Sequence, residues 1–268
     1  MLSTVRFQKI ILDYYKTAGR DLAWRRTRDS YRILVSEIML QQTQVARVEA
    51  FYENFIKRFP DFRALAKAKT VDVLRAWQGL GYNRRALALQ RLAKIIVEYY
   101  GGRLPRDRAT LESLPGIGAY TAGALRAFAF GEPEIFIETN IRRVFIHFFF
   151  PRRRKVYDEE IRSLIEKTLP KEAGPRNVKV WYWALMDYGA MLGTVHGLGA
   201  AKNPNRRSAH YAKQSKFFGS DRELRGQLLR LVLAKKKIAR KQLFEILPQS
   251  KIRIAKILSD LQREGFVS

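Results

Sequence analysis

Residues 111–125 have the sequence "LESLPGIGAYTAGAL", and they are the strongest indication of the fold. The glycines interrupt two helical patterns, which predicts a helix, a tight hairpin and a second helix beginning near Tyr120. Glycine lets the backbone approach an anion closely, and a helix start carries partial positive charge. The stretch therefore predicts a grip on a DNA phosphate through Gly116 and Gly118 that reads no bases. On its own, "PGIG" is equally typical of an ordinary turn.

The composition favours a polyanionic partner. The chain has 268 residues, with 51 Lys and Arg against 25 Asp and Glu, which gives a formal net charge of +26. A body this cationic attracts nucleic acid, and an anionic membrane surface is the alternative. We find no run of about 20 apolar residues, no lipid-facing amphipathic segment and no signal peptide in residues 1–10. We expect a cytoplasmic, nucleoid-associated monomer that binds double-stranded DNA and no membrane.

Cysteine is absent from the sequence. Its absence excludes disulfides, thiol catalysis and thiolate-bound zinc or iron–sulfur clusters. The histidines His147, His196 and His210 are scattered, and none is at metal-ligand spacing with another. The sequence therefore predicts no metal site.

Apolar residues recur at helical spacing through nearly the whole chain, with two helices around a short break in residues 30–59. Alternation typical of a strand occurs only in "IFIE" (135–138), which is too short to carry a sheet. Residues 193–218 are basic, have little periodicity and indicate a loop. The last fifty residues contain three short amphipathic helices, in the order of a winged helix-turn-helix in which 251–263 enters a groove. The alternative is a small helical cap on the main domain.

A carboxylate stands in an apolar part of the helix predicted within "LAWRRTRDSYRILVSEIMLQQTQV" (22–45). Helical geometry places Glu37 on one face with Leu40, Gln41 and Gln44. Apolar neighbours should raise the pKa of Glu37, which suits a general acid. The glutamines can fill a gap in a base stack or bind base edges. Local pattern alone favours an ordinary salt-bridged glutamate.

A second carboxylate interrupts the apolar stretch "IFIETNIRRVFIHFFF" (135–150). Glu138 stands directly before a predicted helix start at Thr139 and Asn140. Such a residue is either a helix cap or a catalyst. We expect the helix dipole to hold Glu138 ionised while Glu37, in a drier place, stays protonated.

Four long motifs follow one another between about Leu22 and Met191: "GLGY" (79–82), "LPGIGAYTAGA" (114–124), "TNIRRV" (139–144) and "WALMDYGAM" (183–191). In this order they resemble the catalytic domain of adenine DNA glycosylases of the MutY type. That family belongs to the helix-hairpin-helix DNA glycosylase superfamily, which includes endonuclease III.

The resemblance implies a role for each matching residue. Glu37 would protonate N7 of adenine, and Glu138 would stabilise the positive charge at C1′, with Asn140 in the same catalytic motif. Tyr120 stands where bifunctional members carry the Schiff-base lysine, so we expect no AP-lyase activity. The residues implied for substrate binding are Leu22, Trp24, Arg25, Gln41, Gln42, Tyr82 and Asp187. Gly116 and Gly118 would hold phosphate, together with a site that suits a monovalent cation.

The chain departs from the family at Glu138, where the family has aspartate. Glutamate is longer by one C–C bond, about 1.5 Å, and a misplacement of about 1 Å can cost on the order of 100-fold in rate. Either the pocket has shifted to accept the longer side chain or catalysis is impaired.

The family's iron–sulfur loop is also altered. Its four cysteines correspond to Gly193, Ala200, Asn203 and Ala209, so we expect no cluster and no other cofactor. Packing and hydrogen bonds would order the loop instead. Its basic residues would contact DNA or remain a solvated run of charge; they are Lys202, Arg206, Arg207 and Lys213.

The family's larger C-terminal domain, which checks for 8-oxoguanine, has no counterpart in residues 219–268. Recognition of the opposite base would then depend on Tyr82, Gln42 and neighbouring backbone. This leaves the lesion specificity open.

We expect an all-α, two-lobed helix-hairpin-helix DNA glycosylase fold with a small C-terminal winged-helix-like module. Residues 1–25 with 130–218 would form a lobe carrying Glu138 and the former cluster loop. Residues 26–129 would form a six-helix lobe carrying Glu37 and the hairpin, and 219–268 the module.

The predicted function is a monofunctional DNA glycosylase of base excision repair, which hydrolyses the N-glycosidic bond of flipped adenine mispaired with 8-oxoguanine or guanine. One alternative is a mismatch glycosylase that removes thymine or uracil opposite guanine, since Tyr120 also occurs in such relatives. The other is a DNA-binding protein without catalysis.

Overall fold

The chain forms helices where its apolar residues recur at helical spacing. The computed structural model describes residues 2–170, 175–194, 203–213, 216–234 and 239–266. Within these ranges the regular structure is helical, and the only β-type pairing is an isolated bridge between Val156 and Ser208. The predicted all-α class is therefore confirmed. No helix in the described part of the chain is long and apolar enough to cross a membrane.

The chain divides into two compact units. The first unit comprises Met1–Glu37 and Pro105–Lys213, and the second unit comprises Ile38–Leu104 and Gln214–Ser268. This division differs from the lobes predicted above: the hairpin and both carboxylates belong to one unit, and the C-terminal segment groups with 38–104. Periodicity within a helix reports its buried face but not its partners, so these pairings were not accessible from the pattern.

The first unit is built around an aromatic core. Phe7 packs against Phe145 and Trp181, with ring centroids 5.4 and 5.8 Å away, and all three side chains are fully buried. The helices of this unit are α1 (Thr4–Ala18), α2 (Ser30–Leu40, whose last turn belongs to the second unit), α7 (Arg108–Ser113), α8 (Ala119–Leu125), α9 (Thr139–Phe149), α10 (Asp158–Thr168) and α11 (Pro175–Leu192). This core fixes α1, α9 and α11 around the residues described below.

Two glycines let chain segments approach each other closely in this unit. A Cβ at Gly189 in α11 would overlap the backbone carbonyl of Asn140 in α9, and a Cβ at Gly123 in α8 would lie 2.8 Å from Cβ of Phe136. A side chain at either position would push these segments apart. Both glycines therefore contribute to the placement of the segment around Glu138.

Residues 203–209, in the region of the former cluster loop, are held by hydrogen bonds. Arg207 donates to the carbonyl oxygens of Phe150 and Ile146. The backbone N–H of Val156 donates to the carbonyl of Arg207 (2.9 Å), and that of Ala209 donates to the carbonyl of Val156 (2.8 Å). Arg207 is thus a structural cross-link of this region. Lys202 and Ala200 lie outside the described residues.

The second unit packs around Trp77, which is fully buried. Its ring lies 5.6 Å from that of Phe55, and its indole N–H donates to the carbonyl of Gly81 at 3.2 Å. The helices of this unit are α3 (Val45–Arg58), α4 (Phe62–Lys67), α5 (Thr70–Trp77), α6 (Arg84–Tyr99), α12 (Asp221–Ala234), α13 (Arg240–Ile246) and α14 (Lys251–Arg263). The bond from Trp77 holds the "GLGY" turn that precedes α6.

The three helices predicted in the C-terminal segment are present as α12, α13 and α14. Residues 264–266 form no strand, and 267–268 lie outside the described part. Two arginines of α14, the helix predicted to enter a groove, are held by acids: Arg253 pairs with Asp221 at 2.7 Å and Arg263 pairs with Asp260. Both are surface ion pairs, which are weak, so they leave the predicted groove contact of α14 a prediction.

Candidate active site

Glu37, in α2, is a buried acid with a raised pKa. The residue is only 5% exposed to solvent. Burial raises the pKa of Glu37 to about 7; a hydrogen bond from Tyr120 and the charge of Arg25 act against this, and the charge of Glu138 adds to it. At neutral pH, Glu37 is therefore poised to hold and release a proton.

Tyr120, at the start of α8, touches this acid. Its hydroxyl donates to Oε2 of Glu37 at 3.1 Å, and its ring meets Phe136 edge-on at 5.8 Å. Burial, followed by the charges of Glu37 and Glu138, raises the pKa of Tyr120 well above its ordinary value. The phenol is therefore a neutral donor, and both carboxylates lie close enough to act on it electrostatically.

Glu138 is the N-cap of α9. Its Oε1 accepts hydrogen bonds from the backbone N–H groups of Asn140 (2.7 Å) and Ile141 (2.9 Å), which satisfies the start of the helix. Burial nevertheless raises the pKa of Glu138, against those two bonds and the charges of Arg143 and Arg142. Desolvation is the largest of these effects, while the capping bonds and the two arginines favour the ionised form that the sequence analysis expected.

The side chain of Asn140 links Glu138 to the half-buried Arg143. Its Nδ2 donates to Oε2 of Glu138 at 3.3 Å, and its Oδ1 accepts from Nη1 of Arg143 at 2.7 Å. Arg143 also donates to the carbonyl of Gly189 and, at 3.0 Å, to Oδ1 of Asn203. This network orients the Asn140 amide so that its N–H points toward the carboxylate of Glu138. It also connects Asn203, which stands at one of the former cluster positions, to the site.

Asp187 holds Arg25 in place. Nη1 and Nη2 of Arg25 each donate to a carboxylate oxygen of Asp187 at 2.8 Å, and Arg20 contributes its backbone N–H and Nε at 2.8 and 2.7 Å. Burial would raise the pKa of Asp187, but the bonds and charge of Arg25, with those of Arg20, lower it overall. Asp187 is therefore an ionised residue that positions Arg25, rather than a side chain held ready for a base.

The other predicted pocket residues lie beside Arg25 in sequence. Leu22 and Trp24 are buried at 4% and 6% exposure, and Ala23–Arg25 forms a short 3-10 turn. The guanidinium carbon of Arg25 lies 5.5 Å from the ring centroid of Trp183. Ion pair and stacking together give Arg25 one fixed orientation.

The predicted hairpin joins α7 to α8. Gly116 has φ of +83°, a left-handed conformation that favours glycine. Gly118 is the N-cap of α8 with φ of −104°, and a Cβ there would meet nothing within 4 Å. Gly116 is needed for the left-handed turn. Gly118 has no side chain, so the space beside the first turn of α8 stays open.

In the second unit, two predicted DNA-contacting residues have unusual backbone conformations. Gln42 has φ of 55° and Tyr82 has φ of 46°, and both side chains are exposed. Residues other than glycine cost about 1–3 kcal/mol in this region and persist at sites where the surrounding structure enforces them. The third, Gln41, is half-buried at the end of α2.

Arg85 enforces both conformations, and the sequence analysis missed it. This arginine is 9% exposed and stacks on the rings of Trp77 and Tyr82 at 5.4 and 5.5 Å. Its guanidinium donates to oxygens of Ile38, Met39, Gln41, Thr43, Leu80 and Gly81. One side chain thereby holds the loop after α2 and the turn before α6 together. The available signal was its helical spacing with Leu89, Leu92 and Ile96.

Comparisons with known proteins agree with this arrangement. Residues 35–171 match the model of the HhH-GPD superfamily base excision DNA repair proteins. The chain is 37% identical over 230 residues to the adenine DNA glycosylase of Mycolicibacterium smegmatis, covering 82% of this chain and 78% of the relative. It is 42% identical over 147 residues to the human adenine DNA glycosylase, covering 52% of this chain and 27% of that protein.

Solved structures show the same fold. A thermostable thymine-DNA glycosylase has a TM-score of 0.60 at 30% identity, covering 70% of this chain and 88% of that one. An endonuclease III in a non-covalent DNA complex has a TM-score of 0.58 at 21% identity, covering 74% and 91%. With its hairpin and its buried acid, the chain therefore belongs to the HhH-GPD superfamily of base excision DNA repair proteins, among which it is similar to adenine DNA glycosylases of the MutY type.

Proposed function

We propose that this chain is a monofunctional DNA glycosylase that removes adenine mispaired with 8-oxoguanine or guanine in double-stranded DNA. The observation that carries the proposal is the pairing of Glu37, with a pKa of about 7, with a second carboxylate, Glu138, across the hydroxyl of Tyr120. The adenine DNA glycosylase of Mycolicibacterium smegmatis, whose match covers 82% of this chain, supports the same substrate.

The reaction begins when adenine leaves the base stack. Flipping costs a few kcal/mol, least for an already weakened pair. Protonated Glu37 gives its proton to N7, and the bond between N9 and C1′ breaks as the ring accepts its electrons. The base leaves as neutral adenine, and positive charge develops at C1′. Proton transfer from a positioned acid contributes typically about 10²- to 10⁴-fold.

Glu138 stabilises the cation that remains. Its Oε1 caps α9, and the Asn140 amide orients the other oxygen, so ionised Glu138 offers a fixed negative charge to C1′ until water completes the hydrolysis. The extra methylene relative to aspartate is taken up by the capping geometry. We therefore propose that the longer side chain supports catalysis.

The remaining residues bind and orient the DNA. Leu22, Trp24 and Arg25, which Asp187 positions, line the base pocket, while Gly116 and Gly118 hold backbone phosphate and would also hold a monovalent cation. Gln41 and Gln42 fill the space that the base vacates, and Tyr82 enters beside the opposite base. Tyr120 has no amine to form a Schiff base, so we propose that the enzyme lacks AP-lyase activity. It works as a monomer on chromosomal DNA and without an iron–sulfur cluster, since the sequence has no cysteine ligands.

A thymine or uracil mismatch glycosylase is the second candidate. The 30% identity to a thymine-DNA glycosylase favours it. Pyrimidines have no N7, however, so the raised pKa of Glu37 would serve no proton transfer to that atom. Adenine has N7 and is therefore the substrate to which Glu37 can transfer its proton.

The test is base release from defined duplexes containing A:8-oxoG, A:G, T:G and U:G. We expect release of adenine from the first two, and release from T:G alone would overturn the adenine assignment. Glu37→Gln should abolish release, while Glu49→Gln, at an exposed acid of α3, should leave it unchanged. Full activity of Glu37→Gln would refute the mechanism, and absence of activity in the wild type would favour a DNA-binding protein without catalysis.

A further inference from the structure

The C-terminal module touches Tyr82 directly. Nη1 of Arg222, at the start of α12, donates to the hydroxyl of Tyr82 at 2.7 Å. The guanidinium carbon of Arg222 also lies 5.8 Å from the centroid of that ring. A hydrogen bond and a cation–π contact together define where this guanidinium lies.

A second contact fixes the same module to the helix that follows Tyr82. Glu264, directly after α14, accepts bidentate hydrogen bonds from Arg84 at 2.7 and 2.6 Å and a further bond from Arg225 at 2.7 Å. Arg84 is two residues after Tyr82, and Arg225 is one turn after Arg222. The two contacts therefore align the start of α12 with the tyrosine.

Tyr82 presents its ring to solvent. Its exposed fraction is 36%, its φ is 46°, and the buried guanidinium of Arg85 supports the ring from within the unit at 5.5 Å. A strained, exposed aromatic supported from beneath is suited to stacking on a base. Arg222, which donates to the hydroxyl of Tyr82, would lie at the edge of a base stacked on this ring.

We propose that Arg222 is a specificity-determining residue that hydrogen-bonds the base opposite the excised adenine and selects guanine-type bases. The proposal rests on the proposed function, in which Tyr82 enters the duplex beside that base. Guanine and 8-oxoguanine both present the O6 acceptor, to which an arginine N–H can donate, whereas cytosine presents an N4–H donor at the corresponding edge. Arg222 is the residue of the module that contacts Tyr82 directly.

The experiment compares Arg222→Ala with Arg230→Ala, which removes the same charge from an exposed position on the same helix. Single-turnover rates of adenine release are measured with 8-oxoguanine, guanine or cytosine opposite the adenine. We expect Arg222→Ala to lower the preference for guanine-type bases over cytosine by about 10-fold, the usual order for one base contact. Arg230→Ala should keep the wild-type preference.

Tyr82→Phe provides an independent check, because it removes the hydroxyl that Arg222 binds and keeps the ring. Its effect on the preference should be smaller than that of Arg222→Ala and should not add to it in the double variant. Additive effects would show that the two residues act separately and would overturn the proposal.

Equal loss of rate with all three opposite bases, together with a weaker salt dependence of binding, would show a phosphate contact and also overturn the proposal. Binding of the same uncleaved duplexes by the Glu37→Gln variant, with and without Arg222→Ala, tests the contact without catalysis. A wild type that releases no adenine would defeat the proposed function, while these binding measurements would still decide the role of Arg222.

Discussion

The pH dependence of adenine release follows from the burial of Glu37. The mechanism needs this residue protonated, and its pKa is about 7. The protonated fraction is then about 0.9 at pH 6 and about 0.1 at pH 8, so the single-turnover rate should fall about tenfold across this interval. At lower pH a second limb is expected as Glu138, which must be ionised and whose pKa burial raises, becomes protonated.

Tyr120→Phe should move the alkaline limb to higher pH. The hydroxyl of Tyr120 donates to Glu37 and so favours the ionised carboxylate; its removal raises the pKa of Glu37 further. A hydrogen bond to a charged group contributes about 1.5–3 kcal/mol, and one pKa unit corresponds to about 1.4 kcal/mol. A displacement of roughly one pH unit is therefore expected.

The assay is single-turnover release of adenine from an A:8-oxoG duplex between pH 5 and 9, at constant ionic strength. Tyr99→Phe, at an exposed tyrosine of α6 (70% exposed), is the matched control and should leave the profile in place. A wild-type rate that shows no alkaline fall between pH 6 and pH 8 would refute the assignment of Glu37 as the acid. The assignment would also be refuted if Tyr120→Phe left the alkaline limb unmoved or shifted it to lower pH.

Four further predictions concern other residues. Glu138→Gln should lower the release rate by at least about 100-fold, measured in single turnovers, while Glu138→Asp retains activity; equal rates for both would show a cap alone. Arg85→Lys should lower the free energy of unfolding by about 1–3 kcal/mol, because the fork of donors is lost and buried carbonyls remain, and urea unfolding measures this. Gln42→Gly should relieve the left-handed strain and raise the free energy of unfolding by about 1 kcal/mol while weakening binding to an A:8-oxoG duplex, and unchanged binding would contradict the wedge role. Tyr120→Lys should give a covalent DNA adduct trapped by borohydride, and its absence would show that residue 120 does not face the sugar.

The helices were largely predictable from the sequence, because each buries one apolar face. The break between α2 and α3 and the three helices of the C-terminal module follow from this pattern. The six residues of α4 (Phe62–Lys67) were missed, since a helix of one and a half turns shows too little periodicity. The π-turn at Arg126–Phe130 has no sequence signal of this kind.

The candidate site was predictable in its residues but not in its interactions. The motifs pointed to Glu37 and Glu138, yet the shift in the pKa of Glu138 depends on how completely the fold excludes water from it. Arg85 escaped notice because a charged residue is expected at the surface, and the oxygens to which its guanidinium donates come together only in the folded chain. Asp187 was taken for a pocket residue, and only its pairing with Arg20 and Arg25 shows that it acts through another side chain.

The arginine cross-links near residues 203–209 have a consequence for when this protein can work. Thiolate-bound iron must be delivered to a protein and is dismantled by peroxide, whereas the guanidinium groups of Arg143 and Arg207 reach their carbonyl partners through folding alone. With no cysteine in the chain, neither scarcity of the metal nor an oxidative burst removes an anchor from this region. The order of this region therefore depends on folding alone and not on the supply of a metal.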